Sequence, residues 1–312
     1  MSKHKHNKPF PNTVLTGGGM IASVITQQDV RELIAYCNAN IDTFDRLGTK
    51  QGRNIFIPGN ADPKDKAAKV LAVGHLDHYT GKLSCTGTML TTPALDDRLG
   101  VWAICRKLPS MVNGGRRYDI LLTRDEERGL SSADEFCKQA DKYNWIFELD
   151  RRGTDAAYYG FSDDMWLEAL GGDGWDLSTG SFTDICAFEE GSVSAVNFGI
   201  AYENEHTTAC SVNFRKLGLQ LQRIASFYNH YKDTRFVHDG MAYPRHYGKG
   251  AFKSSKYTSP YAWSDDYYDI GGKTLQRDIR DADMGATPKK KMIVQNLRDW
   301  SYVQDTSKTG GK

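Results

Sequence analysis

The fold of this chain is decided by a short apolar run that ends in polar residues, KVLAVG at positions 69–74, which continues directly into HLDH. Three further runs repeat this design, namely YDILLT at 118–123, WIFEL at 145–149 and SAVNFGI at 194–200. Short apolar runs with polar boundaries are typical of buried strands. The sequence therefore predicts four strands that share one core.

Segments with helical spacing lie before and between these strands, at 30–36, 99–107, 131–142 and 213–231, and Thr26 is placed to cap the first of them. This alternation predicts an α/β fold, a three-layer αβα arrangement with a mixed, largely parallel sheet covered by helices on both faces. In such sheets, sites form just beyond the carboxyl ends of the strands. We expect the chemistry of this protein, including any metal site, at that edge.

The composition excludes several classes of function. The 312 residues include 40 basic and 39 acidic side chains, for a net charge of +1, which gives no electrostatic reason to bind nucleic acid or a membrane surface. No run approaches the roughly 18 apolar residues of a transmembrane helix, and residues 1–12 do not resemble a secretory signal. The six cysteines form no CxxC pair, which predicts reduced, mostly buried thiols in a cytoplasmic protein.

The chain divides into three parts by composition. Residues 1–13 read as a flexible leader and residues 14–235 as the catalytic domain. Residues 236–312 form a tail of low hydrophobicity, rich in Tyr and Gly, which we expect to be extended or disordered apart from a short amphipathic helix at 292–300. Its aromatic residues could stack on nucleic acid bases, but without a basic excess a flexible or partner-docking tail is the better interpretation.

Histidines and acids follow each predicted strand, and every motif also has a structural explanation. His75 and Asp77 could be a hydrogen-bonded surface pair, and Asp96-Asp97 could simply cap a helix. The acids at 125–127 could form salt bridges with neighbouring arginines. Together, however, they place histidines and carboxylates at the ends of successive strands. With no cysteine among them, they suit zinc or a similar divalent ion in a catalytic site.

The motifs resemble, in order, those of the co-catalytic zinc exopeptidases, a superfamily of aminopeptidases, carboxypeptidases and N-acyl amino-acid deacylases. The resemblance covers roughly residues 60–215 and rests on GHLD at 74–77, LDDRLG at 95–100, EERGL at 126–130, LD at 149–150 and EHT at 205–207. The intervals between the motifs are too short for the additional domain that many relatives insert. The resemblance therefore implies the compact, single-domain form.

The resemblance also assigns roles. His75 and Asp150 would hold one divalent ion, Glu127 and His206 would hold a second, and Asp96 would bridge both. Glu126 matches the general base, provided that the turn before Gly129 separates its side chain from that of Glu127.

Asp77 matches the acid that orients His75. Three other assignments have alternatives. Asp125 is the rival base if the strand ends one residue earlier. Asp184 would contact substrate or support the site from behind, although it could merely cap its own loop. Arg151 could bind a substrate carboxylate or pair with a neighbouring acid.

These assignments predict a hydrolase that cleaves an amide bond with two divalent ions, zinc being the best match. An aminopeptidase acting on peptides is the first expectation. A carboxypeptidase or a deacylase of small acylated amino acids could use the same centre. Outside enzymes, the alternative is a metal-containing binding or scaffolding protein. No nucleic-acid or membrane partner is expected.

Overall fold

A computed structural model describes residues 24–60 and 69–239. Eight strands, numbered in chain order, form the main sheet in the spatial order β1 (Thr49–Gln51), β2 (Asn54–Ile57), β6 (Tyr118–Thr123), β3 (Val70–His75), β7 (Trp145–Glu148), β10 (Ala195–Phe198), β8 (Ala156–Ala157) and β9 (Leu177–Ser178). The four adjacent strands β6, β3, β7 and β10 are parallel to one another. The antiparallel pairings lie toward the two edges.

The parallel register sets the edge at which the strands end. His75 pairs with Thr123, the last residue of β6, and Val73 pairs with Glu148, the last residue of β7. Because these ends lie within two residues of one another along the sheet, the residues that follow them emerge side by side. The four strands predicted from the sequence are these four parallel strands.

A second sheet of four short antiparallel strands stands beside this edge. Its spatial order is β11 (Tyr202–Glu203), β12 (Ser211–Asn213), β5 (Met89–Thr91) and β4 (Ser84–Cys85). It pairs the segment that leads to Asp96 with the segments that flank His206. The sequence did not predict this sheet, although it joins two distant parts of the chain at the site.

Five helices flank the sheets: α1 (Gln27–Asn38), α2 (Leu95–Trp102), α3 (Cys137–Ala140), α4 (Asp164–Gly172) and α5 (Phe214–Tyr231). Thr26 caps α1 in a capping box with Asp29, as its position predicted. Helix α2 continues through a π turn to residue 107. The mixed, mostly parallel sheet with flanking helices confirms the predicted α/β class.

The packed chain continues beyond residue 235. Phe236 is 3% exposed, its ring centroid lies 4.7 Å from that of Trp166, and Val237 forms a bridge with Val193. The rest of the predicted tail, the amphipathic segment 292–300 and the leader 1–13 lie outside the described residues. Within the described ranges, no helix combines the length and apolar character needed to cross a bilayer.

Candidate metal centre

Two clusters of potential metal ligands lie side by side at the carboxyl ends of the parallel strands. His75, Asp96 and Asp150 form one cluster, and Asp96, Glu127 and His206 form the other. In each cluster the ligand atoms lie within 4.8 Å of one another, and Asp96 belongs to both. The structure therefore brings together all five residues that the sequence pointed to as metal ligands.

His75 is the last residue of β3 and is fully buried. Its Nδ1 lies 2.8 Å from the backbone carbonyl oxygen of Asp77 and 3.7 Å from the carboxylate of the same residue. Because a carbonyl oxygen only accepts, Nδ1 carries a proton, which leaves Nε2 as the ring nitrogen that could ligate a metal ion. Nε2 lies 3.4 Å from both Asp96 and Asp150. Asp77 thus orients the ring mainly through its backbone.

Asp96 and Asp97 begin α2 in a non-helical backbone conformation, and the peptide bond between them is cis. The two oxygens of Asp96 face in different directions, with Oδ1 3.4 Å from Nε2 of His75 and Oδ2 3.1 Å from Nε2 of His206. Asp97 instead accepts a hydrogen bond from the backbone N–H of Gly100, at 3.0 Å. The metal-ligand interpretation therefore fits Asp96, and the helix-cap interpretation fits Asp97.

The turn after β6 separates the two glutamates. It is a single 3-10 turn between Asp125 and Gly129, which both have a φ of 69°. Glycine adopts this left-handed conformation without steric cost. Oε2 of Glu127 lies 3.9 Å from the histidine of the second cluster, whereas Oε2 of Glu126 lies 3.8 Å from His75 of the first. The side chains diverge, as separate roles require.

Asp150 is held by a partner on the adjacent strand. The side-chain amide of Asn197 in β10 accepts a hydrogen bond from the backbone N–H of Asp150 at 3.0 Å and donates one to its carbonyl at 2.7 Å. This pair fixes the backbone just after β7 has ended. The hydroxyl of Tyr202 lies 3.5 Å from the Asp150 carboxylate.

His206 marks the open side of the centre. It has a left-handed φ of 58°, and its side chain is 58% exposed, whereas the Asp150 side chain is 8% exposed. The ring of Tyr79 packs edge-on against it, with centroids 5.6 Å apart. A substrate would therefore approach from the side of His206 and Tyr79.

The carboxylates compete for ionisation in this buried space. Burial and the charge of Asp96 raise the pKa of Asp150 to about 7 and that of Glu127 to about 8. Burial also raises the pKa of Glu126 well above its ordinary value. Burial opposes ionisation of Asp96 too, but its interactions with His206 and His75 outweigh it and lower its pKa below the ordinary range. Divalent cations would favour the ionised form of all four.

The donor set fits such cations. Nε2 of His75 and Oε1 of Glu127 are buried and have no hydrogen-bond partner among the described residues. Leaving such an atom unsatisfied costs about 1–3 kcal/mol, which coordination would offset. Two imidazoles and three carboxylates, one of which is the shared Asp96, form a set without cysteine that suits catalytic zinc.

Two residues that the sequence associated with substrate are occupied by protein contacts. Arg151 forms a salt bridge with Asp155 at 2.9 Å and donates to the hydroxyl of Ser178 at 3.2 Å. Arg151 therefore pairs with a neighbouring acid, which is the second of the two alternatives given for it. Asp184 is fully buried and accepts hydrogen bonds from the hydroxyls of Thr123 and Ser131, so it supports the centre from behind.

Sequence reasoning missed several residues around the centre. Glu148 is fully buried, and its carboxylate accepts a hydrogen bond from the hydroxyl of Thr183. It stands two residues before Asp150, a spacing that places both side chains on one side of an extended chain. An acid inside an apolar run was therefore a usable signal. No local pattern marked Asn197 or Tyr79, whose positions depend on tertiary structure.

The comparisons with known proteins show a likeness of fold. The chain superimposes on aminopeptidase PepT from Bacillus cereus with a TM-score of 0.50 and 12% identity, over 66% of this chain and 99% of that one. A tripeptidase from Staphylococcus aureus gives a TM-score of 0.50 and 11% identity, over 69% and 100% of the two chains. No family model and no characterised protein matches the sequence.

The likeness shows that this chain shares the α/β fold of these two peptidases, the fold class that the resemblance of the sequence motifs implied. At such low identity it carries the architecture and not the activity.

Proposed function

We propose that this protein is a zinc-dependent aminopeptidase with a two-metal centre. The observation that carries the proposal is the position of Asp96, whose two oxygens face the histidines of two separate ligand clusters. In two-metal sites the ions lie about 3.5–4 Å apart, close enough for one carboxylate to bind both. His75 and Asp150 would hold one ion, and Glu127 and His206 the other.

Glu126 is assigned the transfer of the proton. It lies beside His75 but belongs to neither ligand cluster, and its side chain is 14% exposed. Two divalent ions would supply Lewis-acid activation of the scissile carbonyl and of a water molecule. Glu126 would accept the proton of that water and deliver it to the leaving amine.

The charges around the centre favour the amino terminus of a peptide over its carboxyl terminus. The ligand clusters and Glu126 place four carboxylates at the centre, which would attract an α-ammonium group. The neighbouring arginines that a substrate carboxylate would need are paired: Arg151 with Asp155, Arg152 with Glu205 and Arg128 with Asp125. A deacylase or carboxypeptidase acts on a substrate with a free carboxylate and would use such a cation.

The test is a comparison of three substrate sets with the purified protein. Aminoacyl amides and short peptides, N-acyl amino acids, and peptides with a blocked amino terminus are each assayed with added Zn²⁺ and after chelation. We expect zinc-dependent turnover of the first set alone. Turnover confined to the second set would indicate a deacylase, and turnover confined to the third a carboxypeptidase. Absence of turnover by the zinc-loaded protein in every set would refute the hydrolase.

A further inference from the structure

Asp184 joins the two ends of the loop that carries the glutamates. It is fully buried at the start of the 3-10 turn Asp184–Phe188. One of its oxygens accepts a hydrogen bond from the hydroxyl of Thr123, and the other accepts one from Ser131. Thr123 is the last residue of β6, and Ser131 follows the loop of residues 124–130, which we call the base loop. One carboxylate from a distant element therefore bridges both ends of this loop.

Hydrogen bonds between the two ends reinforce this closure. The backbone N–H of Arg124 donates to the hydroxyl of Ser132 at 2.8 Å, and the backbone N–H of Ser132 donates to the carbonyl of Arg124 at 3.1 Å. The side-chain amide of Asn54, in β2, donates to the carbonyl of Ser132 at 2.8 Å. The loop is thus narrow at its base, where Asp184 lies.

The tip of the base loop has weaker support. The backbone N–H of Glu127 donates to the Asp77 carboxylate at 3.1 Å, and Leu130 is 57% exposed. A loop of this kind holds its side chains in place mainly through its ends. Functional groups must be held within about 0.5 Å to act efficiently, so the closure at the base matters for both glutamates.

We propose that Asp184 is a positioning residue that holds the base loop closed and thereby sets the places of Glu126 and Glu127. It does not contact substrate, since it is fully buried and both of its oxygens are engaged. A carboxylate suits this task because it only accepts, so both hydroxyls must donate to it, and bonds to a charged acceptor are stronger than neutral ones. The consequence for catalysis rests on the proposed function, whereas the closure itself does not.

Hydrogen exchange of the full-length protein tests the closure without any activity assay. The reporters are the backbone amides of Gly129, Leu130 and Ser132, which donate within the base loop. In Asp184→Ala we expect them to exchange about tenfold faster or more, because a buried closure of this kind resists local opening. Asp184→Asn, which keeps the shape and one acceptor, should restore part of the protection.

Asp119→Asn is the matched control. Asp119 lies in β6, the strand that ends at Thr123, and is 7% exposed. It accepts two hydrogen bonds at 2.7 Å, from the backbone N–H of Gly59 and from the hydroxyl of Tyr143. Its substitution should leave exchange in the base loop unchanged. Equal acceleration in Asp119→Asn would reduce the effect to general destabilisation and overturn the proposal.

A milder variant covers the case in which Asp184→Ala does not fold. Thr123→Val keeps the branched shape and removes one hydroxyl, so base-loop exchange should rise by a smaller factor. Unchanged exchange in Thr123→Val and in folded Asp184 variants overturns the closure, whatever the activity. If the wild type cleaves peptides, kcat should fall in Asp184→Asn while KM stays near the wild-type value. A rise in KM alone would mean that Asp184 contacts substrate, contrary to the proposal.

Discussion

At the scale of single residues, the centre is defined by carboxylates that share one buried space. Asp96 is stabilised as an anion by two histidines, while burial shifts its neighbours toward the protonated form. Burying several acids together without cations is costly, and a buried charge persists in proteins when it is paired or coordinates a metal. The arrangement of these residues is therefore the one expected of the proposed metal centre.

The shared aspartate gives the first prediction. Asp96→Ala should weaken both metal positions, because it removes a ligand from each cluster. Glu127→Gln should weaken only the position shared with His206, which leaves about one tightly bound ion. Equilibrium dialysis with Zn²⁺, followed by metal analysis, measures both variants against the wild type. Two ions bound at wild-type affinity in Asp96→Ala would contradict the bridging role.

The second prediction separates the base from the acids beside it. Glu126→Gln keeps size and polarity but removes the proton acceptor, so turnover should fall by roughly 10²–10⁴-fold while metal content stays constant. Asp125→Asn is the matched control, since Asp125 pairs with Arg53 and Arg128 and belongs to neither ligand cluster. Steady-state kinetics with metal analysis compares them. A larger loss of turnover in Asp125→Asn would move the base by one residue.

At the scale of secondary structure, the elements with a clear local pattern were predictable. The four parallel strands are continuous apolar runs, and α1 and α5 begin at capping residues, Thr26 and Asn213. The small sheet was not predictable, because strands such as Ser84–Cys85 have two residues and pair with distant parts of the chain. The open side of the metal centre depends on this small sheet, because two of its paired strands flank His206. Sequence motifs thus identified the five proposed ligands and Asp77, but not Asn197 or Tyr79, which contact Asp150 and His206.

The start of α1 gives the third prediction. Burial raises the pKa of Asp29, but hydrogen bonds from Lys107 and Thr26 outweigh it and lower the pKa from 3.8. A carboxyl with a lowered folded-state pKa stabilises the protein above its unfolded pKa, and this contribution disappears as the pH falls through the folded pKa. Asp29→Asn should therefore reduce the free energy of unfolding at pH 7 by about 1 kcal/mol, as for a lost helix cap.

Urea unfolding at pH 7 and at successively lower pH measures this difference. It should shrink as the pH falls below about 3.8, because Asp29 then becomes protonated first in the unfolded chain and, at lower pH, in the folded protein. Asp42→Asn, which alters an exposed acid in the next helical turn, should show little change at any pH. A difference for Asp29→Asn that stays constant with pH would contradict the ionic contribution.

At the scale of the whole molecule, the parallel sheet converts sequence order into spatial convergence. The residues that follow β3, β6 and β7 emerge at one edge because these strands end within two residues of one another, and the small sheet brings His206 to the same place. All five proposed ligands therefore lie within the described ranges, between residues 75 and 206.

The final prediction concerns where that domain ends. A chain that stops after Asp239 should unfold cooperatively at the wild-type midpoint and keep its metal, since it contains every ligand and the packed residues Phe236–His238. A chain that stops after Arg235 loses the buried ring of Phe236 against Trp166 and the contact of His238 with Asp163, at 2.8 Å. Loss of a buried aromatic residue costs about 3–5 kcal/mol. Calorimetry of the two truncated chains should therefore show a lower midpoint for the shorter one alone, and equal midpoints would mean that residues 236–239 add nothing to the domain.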